Sequence, residues 1–225
     1  MNSQSKSTNA AVDPKVATRI PASRYTSTGW ADLETQRLWS RVWQIACTED
    51  CIPDCGDYWE YEIGPLSIFV LRDDEGALRA FKNVCPHRGT SLVSGSGRGL
   101  SEIRCPYHHW RFDSKGHFCG TEEDGVRTGR PGSMSLTSVA VDSWGGFVFV
   151  NPDLNCEPLS EFLEVLPKEL EWVGMEQFGC SEFMTLEVPC NWKVVVDAFI
   201  ETYHLHAVHP QMLAIADDVH TPITL

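Results

Sequence analysis

Two short stretches constrain this chain more than anything else in it. They read Cys85-Pro86-His87 and Cys105-Pro106-Tyr107-His108, with residues 88–104 between them. Each half supplies one thiolate and one imidazole. A [2Fe–2S] cluster with two inequivalent irons takes such a set, two cysteines on one iron and two histidines on the other. Exchanging two anionic thiolates for neutral imidazoles makes the cluster less negative and raises its reduction potential above that of an all-cysteine ferredoxin. A zinc site usually draws on a Cys pair followed by a His pair, whereas each half here mixes the two. Four unrelated core residues would not explain two proline-containing knuckles.

Composition narrows the function further. Eighteen Lys and Arg stand against thirty-one Asp and Glu, a net charge of −13. Nucleic acid is therefore not an expected partner, because phosphate binding needs a basic footprint. The acidity suits a basic redox partner. No run is apolar enough to cross a membrane, and residues 1–20 lack the apolar region of a secretory signal. Their Ser/Thr/Asn content predicts a disordered tail. Nine cysteines, an odd number, suit a reducing cytoplasm better than a disulfide scaffold.

Along the chain, apolar spacings of three, four and five from Trp30 to Ala46 predict an amphipathic helix. Cys47, Cys51 and Cys55 recur every fourth residue, but Ile52-Pro53 and Cys55-Gly56 break any helix that could align them, so free thiols are expected. From Tyr58 to Val150 the texture becomes short β runs: Trp59–Ile63, Leu66–Arg72, Ala77–Asn83, Trp110–Phe112, Val139–Val141 and Gly146–Asn151. The expectation is a compact antiparallel β domain with two loops gripping a cluster near its tip. Gly95, Gly97 and Gly99 lack the strand–helix context of a dinucleotide loop and read as a flexible loop between the knuckles. Arg88, Tyr107 and Trp110 flank the ligands and read either as packing residues or as tuning residues, with Trp110 placed to shield the cluster from water. A second amphipathic helix is expected over Leu159–Val173 and a strand over Phe183–Val188.

Residues 191–210 form the second informative stretch, with Asn191 as helix N-cap. Asp197, Glu201 and His204 fall at i, i+4 and i+7, one face of a helix. Three ionisable groups on an apolar helix are costly unless paired or metal-bound. On an unbroken helix His209 would point about 140° from His204, but Pro210 disfavours helical backbone at His209. The resulting irregularity lets both imidazoles turn toward one ion. Two histidines and a carboxylate with open positions make the facial triad of mononuclear Fe(II) oxygenases. His206, His109, His117 and His220 carry no ligand frame.

Together, C-x-H…C-x-x-H and N-W-K…D-x-x-x-E-x-Y-H-x-x-x-x-H-P resemble the catalytic (α, large) subunit of Rieske non-haem iron ring-hydroxylating oxygenases, from about residue 25 onward. The resemblance implies an α+β fold in which an antiparallel β Rieske domain (44–153) is set into a helix-grip catalytic domain, represented by residues 21–43 and 154–225. It implies Cys85 and Cys105 on one cluster iron and His87 and His108 on the other. It implies His204 and His209 on a mononuclear Fe(II), with Asp197, Glu201 and Tyr203 as catalytic candidates and Glu201 bridging the two centres between subunits of a homotrimer or α3β3 assembly. The implied partners are a ferredoxin or flavin reductase drawing on NAD(P)H, O2 and a small organic substrate. The implied activity is hydroxylation or dihydroxylation of an aromatic or related compound, with cytoplasmic localisation.

Three departures bear on this reading. A Glu stands at the bridging position where aromatic-ring dioxygenases use Asp, which opens the alternative of a monooxygenase or demethylase acting on quaternary ammonium compounds. His109 occupies a position where the family has Gly. The third iron ligand, an aspartate on a late helix, is expected beyond residue 225, with Asp217 and Asp218 read as solvated loop positions. The expectation is therefore an incomplete catalytic domain, and an electron-carrying fragment resembling a Rieske ferredoxin stands as the other functional class.

Overall fold

The computed structural model describes residues 20–121, 134–182, 184–200, 202 and 204–215. These divide into two compact units, Asp32–Thr185 and a second made of the N-terminal residues to Ala31 with Leu186 onward.

The first unit is built on antiparallel strands: β1 (Gln44–Thr48), β2 (Tyr58–Ile63), β3 (Leu66–Arg72), β4 (Leu78–Lys82), β5 (Ser96–Gly97), β6 (Ile103–Arg104), β7 (Arg111–Phe112), β8 (Phe118–Gly120), β9 (Ser138–Trp144) and β10 (Phe147–Asn151). Seven make one sheet in the order β1-β10-β9-β4-β3-β2-β5, and β6-β7-β8 make a second. The expected β runs are nearly all here, because β-branched and aromatic residues lie between tight turns. The turn after β3, for example, is closed by Asp73, whose side chain accepts from the amides of Glu75 (3.0 Å) and Ala77 (2.9 Å).

β3 explains how one sheet supports two cores. Side chains alternate across a strand, and Ile68, Phe69, Val70 and Leu71 are all buried. Ile68 and Val70 join Ala46, Cys47, Ile52, Val139, Val148 and Val150 on one face. Phe69 and Leu71 join Phe81, Ile103, Phe112, Met134 and Leu136 on the other, and that second core also contains Cys85 and Cys105. Each fully buried Phe or Leu contributes roughly 1.5–3 kcal/mol.

Three expected elements differ. The helix predicted to reach Ala46 is instead α2 (Thr28–Glu34) followed by a wide π-helical turn over Thr35–Trp39, and Gln44 already starts β1. The buried Gln44 amide donates to the carbonyls of Trp39 (2.8 Å) and Val42 (3.2 Å), satisfying orphan groups at the helix end. Leu159–Val173 breaks into α3 (Leu159–Phe162), α4 (Leu166–Glu169) and a 3-10 turn at Glu171–Val173. Glu164 adopts φ 48° between the first two, and Pro167 lacks the amide that a continuous helix needs. Of the predicted strand over Phe183–Val188, the described residues 184–188 are irregular and unpaired, with Met184, Leu186 and Val188 exposed. Without a ladder partner an extended segment has nowhere to place its backbone hydrogen bonds.

In the second unit, α1 (Ser23–Thr26) precedes α2, and α5 (Trp192–Phe199) and α6 (Leu205–Val208) carry the histidine-rich stretch. Asn191 caps α5, its side chain accepting from the Lys193 amide at 3.1 Å. Tyr25 ties α1 to α5 by donating to an Asp197 carboxylate oxygen at 2.7 Å. Among the described residues no helix is long and apolar enough to cross a membrane.

Candidate metal centres

The two knuckles follow strands of the first unit. Residues 85–90 form a tight turn after β4, closed by Cys85 N–H donating to Thr90 (2.8 Å) and Gly89 N–H donating back to Cys85 (2.9 Å). The second knuckle joins β6 to β7 in the same manner: Cys105 N–H donates to Trp110 (2.8 Å) and His109 N–H to Cys105 (3.0 Å). The left-handed turn falls on His109, at φ 53°. That conformation is most easily taken by glycine, which gives a physical reason for the glycine that the motif ordinarily carries there.

The four predicted cluster ligands lie in two pairs, Cys85 beside Cys105 and His87 beside His108. Cys85 and Cys105 are buried at 2% and 1% exposure. Burial pushes the Cys85 thiol up, the backbone amide of His87 pulls it down, the neighbouring Cys105 thiol raises it, and the amide of Arg88 again lowers it; the net shift is upward. The ring centroids of His87 and His108 are 4.8 Å apart. His87 Nδ1 is buried without a hydrogen-bond partner, and desolvation lowers the His87 pKa, with His108 and Arg88 adding to the effect.

These observations fit a [2Fe–2S] group. Two thiols lie side by side, two imidazoles lie side by side, and one buried ring nitrogen lacks the partner that burial demands. An imidazole bound at roughly 2.1 Å puts its ring centroid roughly 3.3 Å from the ion, so two on one iron stand about 5 Å apart. Among the described residues no three His, Cys, Asp or Glu side chains converge on a single ion.

The inter-knuckle segment is not the flexible loop expected. Asn83 Oδ1 accepts from the amides of Leu92 (2.9 Å) and Val93 (3.0 Å), Glu60 accepts from Gly95 (2.7 Å), and Asp57 accepts from Gly99 (3.1 Å) and Arg98. At Gly97 a Cβ would meet the Tyr58 ring at 2.5 Å. The loop is pinned to the sheet by buried Asn83 and Asp57 and half-buried Glu60, which show no motif spacing to it.

Cys47, Cys51 and Cys55 are unpaired thiols. Burial pushes Cys47 up to about 12, with Cys51 and Asp50 adding to the rise, so it stays protonated and packs as a small apolar side chain.

The second candidate centre lies on α6. α5 ends at Phe199, with Ile200 as its C-cap, and a separate turn begins after His204. Asp197 and His204 therefore do not share one continuous helix. Three consecutive β-branched residues, Val194–Val196, weaken a helix whose apolar residues are exposed. His204 and His209 flank α6, and His209 takes φ −130° and ψ 53°, outside the helical region. Their ring centroids are 5.6 Å apart at an interplanar angle of 78°, slightly wider than the separation estimated above for a shared ion. Asp197 accepts from Tyr25, and Lys193 lies over the Tyr25 ring at 5.8 Å. No local pattern announces this contact, whose partners are 172 positions apart. Glu201, Tyr203, Asp217, Asp218 and His220 lie outside the described residues.

Fold and donor set together define an iron–sulfur domain followed by a histidine-bearing helical segment. Comparison with known proteins agrees. A family profile described as Rieske [2Fe-2S] domain matches residues 42–128, and one described as ring hydroxylating alpha subunit (catalytic domain) matches residues 172–222. The carnitine monooxygenase oxygenase subunit of Acinetobacter pittii is 34% identical, over 88% of this chain and 54% of that protein. The glycine betaine monooxygenase oxygenase subunit of Pseudomonas aeruginosa is 30% identical, over 90% of this chain and 48% of that protein. The quaternary ammonium Rieske monooxygenase CntA, solved in complex with L-carnitine, superposes with a TM-score of 0.82 at 30% identity, covering 88% of this chain and 57% of that one. Residues 42–128 thus match the Rieske [2Fe-2S] domain and residues 172–222 the catalytic domain of ring-hydroxylating alpha subunits, and the chain spans about half the length of the curated relatives it matches.

Proposed function

We propose that this chain serves as part of the oxygenase component of a Rieske monooxygenase whose substrate carries a quaternary ammonium group. The observation that carries the reading is the pairing of two buried thiols and two apposed imidazoles, one with an orphaned buried nitrogen. The substrate class rests on the carnitine and glycine betaine relatives and on Glu201 at the position where aromatic-ring dioxygenases use Asp. The broader expectation of aromatic hydrocarbon catabolism and dioxygenation gives way to this narrower one.

When bound, the cluster and the mononuclear iron supply one-electron transfer and the activation of O2. Cys85 and Cys105 would hold one cluster iron and His87 and His108 the other, and His204 and His209 would supply two ligands to the mononuclear iron. The knuckle turns orient the donors before metal arrives, and the Phe/Leu core keeps water from the sulfurs. His108 is exposed while His87 is half-buried, so His108 presents the ring edge that an approaching redox partner meets. Asp197, tied to Tyr25, would hold α5 in place rather than act on substrate. Glu201 and Tyr203 carry their proposed roles, a hydrogen-bonding bridge to a neighbouring subunit and a site-lining group, on sequence grounds alone. A ferredoxin or flavin reductase and a trimeric assembly belong to the same proposal.

Iron, acid-labile sulfide and O2 uptake after anaerobic reconstitution test it. Three irons and two sulfides per chain, with reductant-dependent O2 uptake stimulated by carnitine or glycine betaine and not by naphthalene, is the expected result. Two irons, two sulfides and no O2 uptake would reduce the chain to an electron carrier. No sulfide at all would end the reading.

A further inference from the structure

The two apposed imidazoles are backed very differently. Trp110 lies against His87 with ring centroids 4.7 Å apart and planes 5° from parallel, a full stacking contact. The indole is 6% exposed. Phe118 packs against Trp110 at 4.9 Å, and Phe112, itself fully buried, packs edge-on against Phe118 at 5.8 Å. Trp110 is thus wedged between an imidazole and an aromatic stack rooted in the core. His108, in contrast, meets Tyr107 at 3.9 Å and 35°, and Tyr107 is 57% exposed.

The wedge also crosses between the knuckles. Trp110 belongs to the second, where its carbonyl accepts from Cys105 N–H at 2.8 Å, whereas His87 belongs to the first. One residue of the second knuckle therefore lies flat against an imidazole of the first. The buried, unpartnered Nδ1 is on the ring so held.

We propose that Trp110 is a positioning residue for His87: it fixes the plane of that imidazole and keeps water from it, and so sets the reduction potential of the centre. The proposal rests on the cluster reading above. Reduction adds one negative charge to the centre, and dry surroundings disfavour the added charge. The apolar shell around a metal site controls its dielectric and hence its potential. Removing the indole admits water beside His87, so the midpoint potential moves upward. A phenyl ring at the same place can still stack, whereas an aliphatic chain fills volume without offering a π-face.

The test uses the reconstituted chain with Trp110→Phe, Trp110→Leu and Trp110→Met, read by iron and sulfide content, midpoint potential and the EPR g-values of the reduced state. Full iron and sulfide in at least one aliphatic variant is expected, with an upward potential shift and altered g-values, and with Trp110→Phe recovering most of both. An aliphatic variant that keeps the cluster at the unsubstituted potential and g-values overturns the proposal. So does a Phe variant that shifts as far as the Leu or Met variant. Loss of the cluster in both aliphatic variants, with Trp110→Phe unchanged, also counts against it, because packing alone would give that pattern. If the unsubstituted chain assembles no cluster, the reading beneath the proposal fails together with it, an outcome separate from all the others.

Discussion

The knuckle region and the histidine turn at α6 both gather imidazoles, yet they are built by opposite means. The knuckles grow from strands whose ends are fixed by a hydrogen-bonded sheet, and their sulfurs are part of a hydrophobic core. Their connecting loop is tied down by Asn83, Glu60 and Asp57. His204 and His209 flank a helix of four residues, downstream of a helix whose valines are exposed. Within the described residues, the first region carries its own supporting structure and the second has little. Local stability follows buried contact and protected backbone hydrogen bonds, so the two should respond to perturbation on different scales.

The largest effect expected is from Cys105→Ala. It should abolish acid-labile sulfide and visible cluster absorption outright, while His204→Ala leaves both at the unsubstituted level. Elemental analysis with absorption spectroscopy decides, and equal loss of sulfide in the two variants would erase the contrast. Next comes Gly116→Ala in the β7–β8 turn. Gly116 has φ +81° and its added Cβ would meet the Phe81 ring at 2.5 Å, so unfolding in urea should show a loss of roughly 2–4 kcal/mol.

Acid should act on the sheet through Asp57 and Asp73. Burial alone would raise both carboxyls, but for Asp57 the Arg98 guanidinium and the Asp54 and Gly99 amides outweigh it, and for Asp73 the Arg79 guanidinium and the Ala77 and Glu75 amides do so. Both pKa values lie below the ordinary value in the folded chain. Their stabilisation is therefore present above the unfolded value of about 3.9 and is lost as the pH falls through the folded values. The urea midpoint should drop as the pH falls below about 4, and Asp73→Asn should flatten part of the drop.

Smaller again is Asn191→Ala. It removes the α5 cap and should speed amide exchange in the first turn of α5 by the equivalent of about 1 kcal/mol, leaving exchange in β3 unchanged. The smallest is His109→Gly, which relieves a left-handed backbone at a cluster knuckle and should add at most about 1 kcal/mol. A loss instead would mean that the His109 side chain contributes more than its backbone costs.

Much of the β unit was legible because its signals are local. Each ligand pair lies within four residues, each strand is a short apolar run between turn formers, and β3 spans Leu66–Arg72 as read. What escaped was set at long range. The helix after Trp30 ends where Gln44 turns back to cap it, yet Trp39, Val42, Trp43 and Ala46 satisfy a helical spacing regardless. The glycine-rich loop is ordered by Glu60 and Asp57, which form no motif with it. A stripe from Asp197 to His204 needs one helix, and the end of α5 at Phe199 has no proline or glycine to announce it. Trp110 is a neighbour of the ligands in sequence, but its stacking on the opposite knuckle depends on how the two loops fold toward each other.

The twofold burial of β3 has a bearing on how such a protein can drift. A strand enclosed on both sides offers no position at which a change stays private: enlarging Ile68 presses on the sheet's far layer, and the compensating shift displaces Phe69 and Leu71 beneath the cysteines. Tuning of the redox centre can therefore originate from residues that never approach it, and neutral variation here should collect at the exposed turns while this strand stays fixed.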